Sequence, residues 1–106
     1  DAMAIRSLAM SAETFAAIGY PPSKLATVLN RSDAAGGFAK TDVEQALGSK
    51  IDFEIVSDGH LVLASNNEGV AFVTSSPEAP IAQGVRRIAQ SLAAHQAERS
   101  PALARR

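Results

Sequence analysis

This sequence contains no cysteine and no tryptophan, and aromatic residues occupy only 5% of its 106 positions. The absence of cysteine excludes disulfide bonds and thiolate metal ligands, and it is compatible with a reducing cytoplasm. No apolar run approaches the roughly 20 residues that a membrane-spanning helix needs, and the N-terminus shows no basic segment followed by an apolar one. We therefore expect a soluble, cytoplasmic protein.

The sequence also has no large excess of either charge, since it contains 10 Lys and Arg residues and 11 Asp and Glu residues. This balance argues against a nucleic-acid partner, which normally requires a strongly basic surface. Hydrophobic residues make up 46% of the chain, enough for one domain with a thin core. The chain begins with Asp1 rather than Met, so we expect it to be a piece of a longer protein.

An apolar run that ends in polar side chains is the most informative stretch. The run predicts a strand from about Lys24 to Asn30, and its lack of polar alternation predicts cover on both faces, as in a parallel sheet. The polar side chains that follow are those of Asn30, Arg31, Ser32 and Asp33. Because ligands of open α/β sheets bind at the carboxyl ends of the strands, we expect part of any ligand site here.

The remaining pattern alternates helices and strands. An amphipathic helix is predicted before Gly19, and a short helix with a capping box formed by Thr41 and Glu44 is predicted to end at Gly48. Apolar and charged residues alternate over 51–55, which predicts a strand with one solvent-exposed face. Further predictions are a helix capped by Ser57 or Asp58 and closed at 66–69, an extended piece over 70–73, and a last helix that starts at 75–78.

The order of these elements indicates an α/β fold with a parallel sheet. Only two convincing strands and one marginal strand are present, so we expect further strands upstream. We assign residues 1–96 to the folded part and predict that residues 97–106 form a basic, disordered tail.

Several consecutive segments carry a family resemblance: ATVLNR, a short helix ending in Leu-Gly, IDFEIVSD, LASNNEG, VAFV and a Ser-Pro-x-x-Pro-Ile helix start. In order and spacing they resemble the C-terminal half of a MinD/ParA-type deviant-Walker ATPase. Within that superfamily they are most similar to the ATPase domain of Flp (Tad) pilus-assembly proteins of the TadZ/CpaE kind. The resemblance implies the C-terminal portion of a Rossmann-like, three-layer P-loop NTPase fold.

Two departures from the family pattern are visible. Val56 stands where the family has a proline, and no segment matches the G-x-x-x-x-G-K-[ST] phosphate-binding loop or the Walker-B aspartate. The chain alone is therefore expected not to hydrolyse ATP, whereas the full-length protein is expected to be an ATPase. On this view the missing N-terminal half holds the Mg²⁺ that accompanies ATP.

The resemblance implies an ATP-binding role for five residues. Asn30 would read the adenine edge with its amide, Arg31 adjoins it, and Val56, Ser57 and Asp58 would line the other side of the base. Asn66, Asn67 and Gly69 match a surface segment that leads toward the partner subunit. The family context further implies a homodimer that acts with other pilus-assembly or polar-localisation proteins, at the cell pole or the inner membrane surface.

Each assignment has a simpler alternative. Asn30 can be a turn residue, Asp58 a helix cap, and Arg31 and Asp33 a surface ion pair. The sequence Asn30-Arg31-Ser32-Asp33 also resembles the N-K-x-D motif with which GTPases read guanine, which leaves the base open. The isolated residues His60 and His95 lack the spacing of metal ligands.

The function itself has an alternative. The chain can instead be a non-catalytic protein-interaction domain that keeps the fold and has lost nucleotide binding. The arginines near the C-terminus are typical of a solvated face, and they also suit peripheral contact with anionic lipid or DNA. They are Arg86, Arg87, Arg99, Arg105 and Arg106.

Overall fold

The computed structural model describes residues 1–33 and 36–99. Their contacts divide the chain into two units, one comprising Asp1–Ser57 and the other beginning at Asp58. The described residues form five α-helices, a short 3₁₀ helix and a parallel sheet of two strands. The protein is thus mixed α/β and mostly helical, and the parallel pairing expected from the sequence is confirmed.

The first unit opens with helix α1 (Ala2–Ala17). Its N-terminus is capped by the Asp1 carboxylate, which accepts a hydrogen bond from the Ala4 N–H at 2.7 Å. The helix ends just before Gly19, whose φ of 78° lies in the left-handed region that glycine tolerates best. The helix prediction is confirmed, but no residue of α1 is buried.

The predicted first strand is much shorter in the structure and less covered. A 3₁₀ helix occupies Pro22–Lys24, and strand β1 comprises only Val28–Asn30. Val28 is 43% exposed and Asn30 is also exposed, so the prediction of a strand covered on both faces is wrong. The run is apolar, as a buried strand requires. Among the described residues, however, β1 has only one neighbouring strand, β2.

Strand β2 (Phe53–Ile55) follows the predicted alternation. Ile51 is buried, Phe53 and Ile55 are half-buried, and the intervening Asp52 and Glu54 are exposed. In the parallel register Val28 lies opposite Phe53 and Asn30 opposite Ile55. The alternation prediction is therefore confirmed.

A polar clamp holds the beginning of the two strands in register. The Asp52 carboxylate accepts a hydrogen bond from the Thr27 N–H at 2.8 Å, and Thr27 Oγ1 lies 3.2 Å from the same oxygen. The Asp52 and Phe53 N–H groups both donate to the Thr27 carbonyl at 3.1 Å. Thr27 and Asp52, which we call the register clamp, thus fix where the strands start to pair.

Helix α2 (Lys40–Leu47) connects the strands and begins differently from the prediction. Its N-cap is Ala39, without a side-chain hydrogen bond, so the Thr41 and Glu44 capping box is wrong. The Glu44 carboxylate instead accepts a hydrogen bond from the Ile51 N–H at 2.8 Å. Gly48 ends the helix in the left-handed conformation, as predicted.

The regular elements of the second unit are three helices, joined by short turns, among its described residues. Helix α3 (Gly59–Glu68) is capped by Asp58 and ends at Gly69 with φ 69°, as the sequence predicts. The apolar segment predicted to be extended instead leads into helix α4 (Phe72–Ser75), which corrects that prediction.

Helix α5 (Pro80–Arg99) starts later than the predicted position at 75–78. Near its start, Ile81 and Ala82 are buried, whereas Leu92, further along the helix, is 62% exposed. Arg86, predicted on the outer face, is half-buried and donates to the Pro77 carbonyl at 3.2 Å. The helix includes the first three residues of the predicted tail, and residues 100–106 lie outside the described part.

Burial is sparse in both units. Val43 and Ile51 are the apolar side chains buried among the described residues of the first unit, and Ile81 and Ala82 are those of the second. Across residues 1–33 and 36–99, none of the helices combines the length and the apolar character that crossing a membrane requires.

Candidate functional site

The carboxyl ends of β1 and β2 lie side by side because the strands run parallel. One further hydrogen bond extends the pairing, since the Ser32 N–H donates to the Ile55 carbonyl at 3.0 Å. The segments 30–33 and 56–57 consequently meet at the same edge of the sheet, which we call the strand-end edge. Ligands of open α/β sheets bind at such edges.

Asp33 ties the two halves of this edge together. Its Oδ1 accepts a hydrogen bond from the Ser57 N–H at 2.6 Å, across 24 positions of sequence. A carboxylate acceptor makes this a charge-assisted bond, stronger than one between neutral groups. Among the described residues Asp33 forms no ion pair with Arg31, so the surface-pair alternative is wrong. The contact makes Asp33 a positioning residue for the edge.

Asn30 bonds to the neighbouring backbone, as a turn residue does. Its side chain also keeps hydrogen-bonding groups that a ligand can use. Its Oδ1 accepts a hydrogen bond from the Arg31 N–H at 3.0 Å. This bond fixes which end of the amide carries the oxygen. The second lone pair of Oδ1 and the two Nδ2 hydrogens bond to no other group among the described residues. Because Asn30 is exposed, an incoming ligand can reach both groups.

Arg31 adopts a conformation that is unusual for its residue type. Its φ is 53°, in the left-handed region, which costs a non-glycine residue about 1–2 kcal/mol. The reversal ends β1 and leaves the side chain exposed. No carboxylate among the described residues lies within ion-pair distance of its guanidinium, so the group is available to an anionic ligand.

A cavity of about 510 Å³ adjoins Asn30 and Arg31, and we call it the strand-end cavity. The buried side chains of Val43 and Ile51 contribute to its lining. The volume falls within the roughly 300–1,000 Å³ of typical small-molecule sites. Its other lining residues are Asp1, Ala4, Ile5 and Leu8 of the N-terminal segment, Val28 and Leu29 of β1, and Gly36, Gly37 and Phe38.

The sequence analysis missed Phe38 as a candidate. Phe38 lies between the strand and the helix that the pattern predicts, and the structure places it in the lining of the cavity with 47% of its surface exposed. The available signal was an aromatic residue that directly follows two glycines in an otherwise small and polar segment.

The other predicted site residues are distributed over both units. Val56 and Ser57 are half-buried at the end of β2. Asp58 opens the second unit, where its Oδ1 accepts a hydrogen bond from the Leu61 N–H at 3.1 Å. Its role as a helix cap is therefore confirmed. Asn66 and Asn67 are exposed near the end of α3.

Metal ligands are the remaining class of site. His60 and His95 are exposed on different helices. Within residues 1–33 and 36–99, no three His, Cys, Asp or Glu side chains come together as a metal site requires.

Comparison of this chain with family models, with curated proteins and with solved structures gave no match.

Proposed function

We propose that this chain is the base-binding and dimerisation portion of a MinD/ParA-like ATPase that takes part in positioning or assembly of Flp/Tad-type pili. The observation that carries the proposal is the parallel pairing of β1 with β2, which brings Asn30 and Ser57 to one edge, where Asn30 also lines the strand-end cavity. In this function the edge binds the adenine base of ATP, and the phosphates and Mg²⁺ are bound upstream of residue 1.

Adenine suits the chemistry of Asn30. A carboxamide offers one acceptor and one donor side by side, which matches the N6 amino group and the adjacent ring nitrogen of adenine. Guanine offers two acceptors on the corresponding edge, O6 and N7, so it has no donor there for the free lone pair of the amide oxygen. A site with such a mismatch discriminates strongly between the two bases.

Asp33 supports adenine over guanine for a separate reason. In an N-K-x-D-type site the aspartate accepts hydrogen bonds from guanine, so its carboxylate must face the base. Here the Asp33 Oδ1 accepts a hydrogen bond from the Ser57 N–H at 2.6 Å, and Asp33 is not among the residues that line the strand-end cavity. We therefore assign Asp33 to holding the edge together and Asn30 to reading the base.

The test is competition between ATP and GTP for the full-length protein and its Asn30→Ala and Asp33→Ala variants. Asn30→Ala removes a donor and an acceptor and should weaken ATP binding by roughly 1–3 kcal/mol. Asp33→Ala should lower thermal stability while the preference for ATP over GTP remains. Unchanged ATP affinity in Asn30→Ala, or a GTP preference that Asp33→Ala abolishes, contradicts the assignment.

A second candidate function is a non-catalytic interaction domain. The observation that favours it is the number of large apolar side chains left exposed, such as Met3, Ile18, Leu63 and Leu92. Single exposed apolar residues are ordinary, whereas contiguous apolar patches are typical of surfaces that bind another protein. Failure of the wild-type full-length protein to bind ATP, together with stable self-association, would favour this function.

A further inference from the structure

We infer that Phe38 supplies the stacking face of the base site, so that the base lies in the strand-end cavity with its edge toward Asn30. The inference rests on the proposed function and adds the residue that stacks on the flat face of the base. Asn30 and Phe38 line the same cavity, which lies beside the ends of the strands.

Exposure and position support this role for Phe38. A phenyl ring that is 47% exposed has a face available to a ligand, and this ring adjoins a cavity lined partly by buried side chains. Gly36 and Gly37 line the same cavity and, with no side chains, leave room for a planar ligand. A nucleobase is planar, apolar on its faces and polar on its edges, so a ring and an amide in one cavity match it.

Arg31 adds a charged group at the rim of the same cavity. Its exposed guanidinium has no ion-pair partner among the described residues. A nucleotide carries negative charge on its phosphates, whereas the base and ribose are neutral. Arg31 therefore attracts the negative charge of an approaching nucleotide to the cavity, while the phosphates themselves are bound upstream of residue 1.

The experiment measures ATP binding to the full-length protein with substitutions at position 38. Loss of stacking on an aromatic side chain typically weakens binding roughly 5- to 150-fold. We expect such a loss in Phe38→Ala and in Phe38→Leu, because leucine keeps the apolar bulk without a ring face. Phe38→Tyr should bind within about threefold of wild type, since it keeps the ring.

Tyr20→Ala is the matched control. Tyr20 is 39% exposed, similar to Phe38, but it lines a different cavity, where its ring lies 5.3 Å from that of Phe15. Its removal should leave ATP affinity unchanged. Thermal melts of every variant separate loss of binding from loss of folding.

A spectroscopic readout follows from the absence of tryptophan in this chain. In Phe38→Trp the emission of the introduced indole, taken as the difference from wild type, should fall when ATP is added. Wild-type affinity in folded Phe38→Leu, or tryptophan emission that ATP leaves unchanged, overturns the stacking role. If these results accompany loss of binding in Asn30→Ala, the proposed function survives without Phe38. If wild type binds no adenine nucleotide, both proposals are wrong.

Discussion

Replacing Asp52 by alanine removes one half of the register clamp at the start of the sheet. In the structure the Asp52 carboxylate accepts from the Thr27 N–H at 2.8 Å and lies 3.2 Å from the Thr27 hydroxyl oxygen. A hydrogen bond contributes about 0.5–1.5 kcal/mol, and one to a charged group about 1.5–3 kcal/mol. Because this carboxylate is exposed, the lower part of these ranges applies, and we expect Asp52→Ala to cost about 1–2 kcal/mol.

Thermal unfolding measures the effect on the stability of the whole chain, and amide hydrogen exchange measures it at the Phe53 N–H. A loss of 1 kcal/mol lowers the melting temperature of a domain of this size by about 4–8 °C. The Phe53 N–H, which donates to the Thr27 carbonyl, should exchange faster in Asp52→Ala. Asp52→Asn should give an intermediate result, because its amide oxygen still accepts a hydrogen bond from the Thr27 N–H.

Glu13→Ala is the control for the lost negative charge. Glu13 is exposed within α1, and glutamate and alanine differ little in helix propensity. We expect its melting temperature and its Phe53 exchange to match those of wild type. Equal stability and equal Phe53 exchange in Asp52→Ala and Glu13→Ala would refute the reasoning, because the clamp would then contribute nothing.

The remaining predictions concern association and backbone conformation. At micromolar concentration we expect the 106-residue chain to sediment as more than a monomer, since β1 and β2 have only each other as partners among the described residues and large apolar side chains are exposed. A cleanly monomeric species with one cooperative unfolding transition would contradict this. Gly48→Ala should destabilise the protein by about 1 kcal/mol because alanine at φ 73° is strained, whereas Gly59→Ala, inside α3 at an ordinary φ, should be neutral or stabilising in the same urea titration.

The features that the sequence predicted correctly are local ones. Gly48 and Gly69 end helices because glycine adopts the left-handed conformation cheaply. Asp58 caps α3 because its carboxylate needs only the N–H three residues later. The alternation over 51–55 is equally local, because successive side chains of a strand point to opposite faces.

The wrong predictions depended on distant groups. An apolar run shows that β1 can be buried but not which segments cover it, and Val28 remains exposed. Glu44 could have closed a capping box, but the structure gives its carboxylate to the Ile51 N–H, seven residues away. The sequence around Glu44 does not show that the Ile51 N–H competes with the helix N-terminus for this carboxylate.

In the candidate site too, local features were predictable and contacts between distant residues were not. The polar residues after β1 and their position at a strand end were predictable from the sequence. The bond between Asp33 and Ser57 was not, because it joins groups 24 positions apart and depends on the strands pairing first. Phe38 was missed for a similar reason, since it lines a cavity that exists only after α1, β1 and α2 have assembled.

The parallel pairing also sets the order of events during synthesis. Thr27 and Asp52 lie 25 positions apart, so closing the loop between them costs on the order of 3 kcal/mol before the first strand-to-strand bond forms. A ribosome that adds roughly 5–20 residues per second takes about 1–5 s to make that stretch, whereas a helix forms within about a microsecond. Helix α1 can therefore fold before β2, the partner of Val28–Asn30 among the described residues, has been synthesised. Because synthesis runs from the N-terminus, β1 leaves the ribosome before the segment that forms β2.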